Sequence, residues 1–354
     1  MALDAAAYPH ILDAVLAHAQ WDALLSLRGV SKALLARDSV ITYAHVAIRV
    51  DHAADGAAVQ ILDPYTFRRI PGLRFDASRD LEHRLTLARL AQYVVTLDVL
   101  DDNHQCPLLP RWIYRRLRAC FANIKTLRCT SVAGLLFARS ASTVVFFHRL
   151  TVTPPLKRPY WPDIIEWPLE RLVVRLEIPQ DLLPDPERGF DANGQPRATP
   201  LFDALYALRM GMMPTYAAEC IVLASQGSDA PPRYSVPEAS TNRFRLLIFT
   251  IFVFMNPKKR MRVAGLETID PGLMGLEVAA QSDASDRIAA ICAVVREMLA
   301  DPSCPVDYLE TVECTTAVTL GDYRDAVVAD EWVLSNTWPG GGLPMPSSWA
   351  RGSA

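Results

Sequence analysis

The sequence holds no apolar stretch long enough to cross a bilayer. Its most apolar run, LLIFTIFVFM at 246–255, is ten residues, whereas a helix needs about 20 to span ~30 Å of hydrocarbon. The β-branched and aromatic content of that run predicts a strand buried on both faces. A basic excess is also missing. The net charge is −3 and the pI about 6.2, so neither nucleic acid nor an anionic membrane is expected as a partner. The seven cysteines are odd in number and none sits at CxxC spacing. Cys120, Cys129, Cys292 and Cys314 lie in apolar contexts, which predicts reduced core thiols and a reducing compartment. The start, MALDAAAYPH, lacks the basic and long apolar regions of a secretory leader. These absences predict a soluble protein of the cytoplasm or nucleus.

Catalytic patterns are missing too. Neither glycine-rich phosphate loop occurs, and Gly340–Gly342 lies among prolines near the end of the chain, as in a linker. No nucleophile elbow is present, since Gly227-Ser228 runs into Asp-Ala-Pro-Pro, a turn. The seven histidines show no paired spacing suited to zinc. No catalytic residue, metal or cofactor is therefore expected. Asp98, Asp101 and Asp102 leave two readings open. They follow a predicted strand, where ligands gather in parallel sheets, and an enzyme acting on a small molecule would place its chemistry there. Asp-Asp-Asn is equally the composition of a solvated turn. Two basic clusters are also ambiguous. Lys258, Lys259, Arg260 and Arg262 read either as a nuclear signal or anion contact, or as a charged loop that keeps a sticky strand soluble. Arg111, Arg115, Arg116 and Arg118 read either as a stacking platform with Trp112 and Tyr114, or as the outer face of an amphipathic helix.

What is present is a globular composition: 354 residues, 51% hydrophobic and 21% charged. Residues 8–48 predict three short helices. Pro9 suits a first turn, and Ile11, Leu12, Val15, Leu16 and Ala19 recur at helical spacing. Asp22 is placed to cap a second helix with Leu24, Leu25 and Leu27, and Ser31 a third with Leu34 and Leu35. So short a segment buries too little surface to stand alone, and must lean on the rest of the chain or on a partner.

Beyond residue 60 the pattern apolar-x-x-apolar-x-apolar recurs. It appears at Val94/Leu97/Val99, Ile124/Leu127/Cys129, Phe147/Leu150/Val152, Leu169/Leu172/Val174, Phe244/Leu247/Phe249 and Leu309/Val312/Cys314. The first four middle positions are 22–30 residues apart, and Leu247 and Val312 follow after 75 and 65. The shorter steps match a leucine-rich repeat, in which each unit adds a parallel strand. A non-repeat α/β or α+β body is the alternative, because three apolar positions constrain little. Helices are expected from Pro110, from Thr199-Pro200 through Leu208, from Ser285 through the stripe ending at Leu299, and from Thr319 through Val328. The last opens on a capping box with Asp322 in place of Glu. Residues 179–200 and 225–242 predict loops, and 334–354 a disordered tail.

Residues 8–48, YPHILDAVLAHAQWDALLSLRGVSKALLARDSVITYAHVAI, resemble the F-box, the adaptor-docking module of cullin-based ubiquitin ligases. The likeness lies in Pro9, Ile11-Leu12-Asp13 and Val15-Leu16, and continues through Asp22-Ala23-Leu24-Leu25-x-Leu27-Arg28-x-Val30-Ser31-Lys32 to Asp38. It is nearest to fungal variants that begin Tyr-Pro or Phe-Pro. The resemblance implies a three-helix module ahead of a degenerate leucine-rich-repeat-like α/β body at 60–333. It also implies a non-enzymatic receptor that joins a Skp-type adaptor and cullin complex to a protein substrate. Pro9, Leu12, Val15, Leu16, Leu24, Leu25 and Val30 are the implied adaptor contacts. An interaction scaffold outside any ligase is the alternative.

Overall fold

The computed structural model describes residues 43–53, 56–64, 69–76, 91–100, 119–130, 141–149, 169–178, 217–226, 238–252, 260–277, 282–302, 304 and 312–337, with positions 11, 14 and 15. The protein is mixed α/β with mostly parallel strands. Two compact units are distinct: Met1–Ala141 with Thr337–Ala354, and Ser142–Asn336.

In the first unit the strands are β1 (His45–Ala53), β2 (Gly56–Leu62), β3 (Arg69–Asp76), β4 (Thr96–Leu100) and β5 (Thr126–Cys129). They lie in the order β5-β4-β1-β2-β3. β1 pairs parallel with β4, which pairs parallel with β5; β2 and β3 extend the sheet antiparallel from β1. Alternation divides the faces. Val46 and Ile48, Leu97 and Val99, and Leu127 and Cys129 fall on one face and are all buried. The other face carries Ala47, Asp98, Leu100 and Arg128, also buried. Burial on both faces is the usual condition of parallel strands.

The second unit is a parallel run of β6 (Thr143–Arg149), β7 (Arg171–Ile178), β8 (Glu219–Gln226), β9 (Arg260–Ala264) and β10 (Thr315–Val318) in chain order. Its apolar face includes Leu172, Val174, Leu176, Cys220, Val222, Met261 and Val263, each buried. The opposite face mixes buried Val145, Phe147, Val173, Ile221 and Leu223 with Arg171, Arg175, Glu177, Glu219 and Arg262. Helices α1 (Glu238–Phe252) and α2 (Ala284–Leu299) pack on each other. Two shorter ones, α3 (Leu320–Ala326) and α4 (Ala329–Asn336), close the unit. After β9 the chain turns sharply at Gly265, at φ 89°, where an added Cβ would lie 2.0 Å from the Ala224 carbonyl oxygen. Only glycine fits that approach.

Several expectations are corrected. The run at 246–255, read as a strand, lies largely in α1: Phe244, Leu247, Ile248, Ile251 and Phe252 are buried at helical spacing and Leu246 is exposed. A short apolar run does not by itself fix its period, and the helix begins eight residues earlier, at Glu238. It therefore also takes the end of the loop expected at 225–242, while β8 takes its beginning. Arg260 and Arg262, assigned to a charged loop, open β9. The repeat pattern locates β4, β5 and β7, whose Leu97/Val99, Leu127/Cys129 and Leu172/Val174 pairs are buried. It misframes β6, whose buried run is Val144–Phe147, and its fifth copy lies in α1. The sixth ends at Cys314, just ahead of β10. Of the thiols assigned to the core, Cys129 is buried, Cys120 and Cys292 are partly so, and Cys314 is exposed.

The helix through the Ile288–Leu299 stripe is present, capped by Asp283 rather than Ser285. Thr319 caps α3 through Asp322, as expected, but the helix stops at Ala326 and a separate one follows to Asn336, past the expected tail boundary at 334. The helices expected after Thr199-Pro200 and along the arginine cluster at 111–118 lie outside the described residues, as does most of the 8–48 module; its last residues, 45–48, read as part of a helical module, instead open β1.

Candidate functional site

In the first unit Asp98 is the centre of a buried ionic cluster. Its position on β4 is in register with Arg128 on β5 and with Ala47 on β1. Since in-register residues of parallel strands share a face, Asp98 and Arg128 meet on the side away from Leu97 and Leu127. The Arg128 Nη1 donates to both carboxylate oxygens, at 3.1 and 2.8 Å. His45, two residues before Ala47, brings Nε2 within 2.8 Å of Oδ1. Arg128 also donates through Nη2 to the Thr337 carbonyl. Asp98 is 1% exposed and Arg128 0%, beside the apolar group Ala47, Leu62 and Leu100.

The electrostatics follow from that geometry. Burial alone raises the Asp98 carboxyl, but the charge of Arg128, then that of His45, and hydrogen bonds from both outweigh it and hold the group below its ordinary value. The carboxylate is therefore anionic, with both oxygens engaged. Neighbouring Cys129, on the apolar face, has its thiol pushed up by burial and further by Asp98; it stays protonated and is a poor nucleophile. Cys220 in the second unit is raised the same way. The arrangement ties β1, β4, β5 and the segment at Thr337 together through charge.

The second unit carries its own ionic chain near the starts of β7, β8 and β9. Arg171 Nε donates to Glu219 Oε2 at 2.9 Å, and Arg262 engages the other Glu219 oxygen. Arg171 also pairs with Glu331 of α4. The Arg262 guanidinium lies 5.8 Å from the centre of the Tyr323 ring, which in turn meets Trp332 at 6.1 Å. Tyr323 is buried, and burial followed by the charge of Glu331 raises its phenol. These contacts bind α3 and α4 to the polar face of the sheet. At the other strand ends, Gln226 accepts from the Asp270 amide at 2.7 Å, and Glu267 accepts from the Leu320 amide at 2.6 Å.

Of the expected adaptor contacts, Val15 is described: it is helical and 52% exposed, with Ile11 one turn before it at 41%. Pro9, Leu12, Leu16, Leu24, Leu25 and Val30 lie outside the described residues, as do Asp101, Asp102, Lys258 and Lys259. Asp98 is a partnered interior charge rather than part of a solvated turn. His45 and Arg128 were not anticipated, although a signal for Arg128 exists. Asp98 stands between Leu97 and Val99, and Arg128 between Leu127 and Cys129, so opposite charges occupy the same place in consecutive pattern copies. Among the described residues no group of three or more His, Cys, Asp or Glu side chains is arranged to hold a metal ion, and no helix is long and apolar enough to cross a membrane. No protein-family model, no curated protein and no solved structure matches the chain.

Proposed function

We propose that this chain is a non-enzymatic substrate receptor of an SCF-type cullin–RING ubiquitin ligase. The F-box-like module of residues 8–48, whose last four residues already belong to β1, docks a Skp-type adaptor, and the α/β body, with its leucine-rich-repeat-like strand spacing, captures a protein substrate. Catalysis belongs to the ligase partners; the chain contributes proximity by raising the substrate's effective concentration. The observation that carries this reading is the stretch Asp22–Lys32, in which two apolar faces alternate with fixed polar positions in the F-box manner. Exposed Ile11 and Val15, four residues apart on one helical face, support it, because a docking helix needs an apolar stripe its own domain leaves uncovered.

Adaptor binding by the full chain is the test. Micromolar or tighter binding, abolished by a Leu24→Asp/Leu25→Asp double substitution that leaves the far-ultraviolet circular dichroism of the body intact, is the expected result. The departures from the F-box pattern at Tyr8, and at Leu34 where Trp or Phe is common, favour a second reading, an interaction scaffold acting outside any ligase. Wild-type protein that shows no adaptor binding at micromolar concentration removes the receptor reading and leaves the scaffold.

A further inference from the structure

We draw no further inference here: the strongest candidate, the side-chain cluster of Asp98, Arg128 and His45 on β4, β5 and β1, belongs to the site already described, where the three side chains engage one another.

Discussion

Removing Asp98 should be among the most damaging single substitutions in the first unit, and replacing its partner as well should restore much of the loss. In Asp98→Ala the Arg128 guanidinium stays at 0% exposure with Nη1 stripped of both carboxylate acceptors. Breaking a buried pair from one side costs about 3–5 kcal/mol, a large part of the roughly 5–15 kcal/mol that holds a domain folded. Arg128→Met should cost a similar amount, since it leaves the carboxylate buried with only His45 against it. Replacing both with apolar residues, as Asp98→Leu/Arg128→Met, removes the charges together and is close to neutral for the pair itself. His45 and the Thr337 carbonyl then each lose a partner, at about 1 kcal/mol apiece, so the double variant should lose about 2 kcal/mol. Independent sites would give about 6–10 kcal/mol for the sum. Urea unfolding of the full chain followed by circular dichroism measures all three variants. The pH dependence supplies a second arm. The folded carboxyl sits below its ordinary value of 3.8, so its contribution is present above about pH 4 and disappears as pH falls through the lowered value. The stability gap between wild type and Asp98→Ala should therefore narrow below pH 4. Single variants costing under about 1 kcal/mol, a double variant equal to their sum, or a gap that does not change with acid would each refute the reasoning.

Two further outcomes follow from local geometry. Gly265→Ala combines a positive φ with a Cβ 2.0 Å from the Ala224 carbonyl, so it should cost more than about 2 kcal/mol and lower the thermal midpoint; a neutral result would show that the turn after β9 relaxes freely. Thr319→Ala and Asp283→Ala each remove a side-chain acceptor for the first turn of a helix, at 2.9 and 2.8 Å respectively, and each should cost about 1 kcal/mol in denaturant unfolding, with serine at either position recovering most of it.

Local chemistry alone determined a good deal of this protein. The stripe ending at Leu299 and the Thr319 cap locate α2 and α3 because helical periodicity and capping are short-range properties. The Leu-x-Val and Leu-x-Cys pairs of β4 and β5 likewise declare a buried face within one strand. Where the same run of residues satisfies two periods, the local signal fails. Residues 246–255 are apolar enough for a two-faced strand, and those up to Phe252 are helical because Glu238–Phe252 presents Phe244, Leu247, Ile248 and Ile251 together on a buried face. Arg260 and Arg262 look like a solvated loop until Glu219 on β8 gives Arg262 a partner. Asp98 shows the limit most clearly. The sequence marks it as a charge inside an apolar pattern and marks Arg128 at the matching place in the next copy. Whether they form a turn, a site or an interior clamp depends on strand register, which long-range pairing sets.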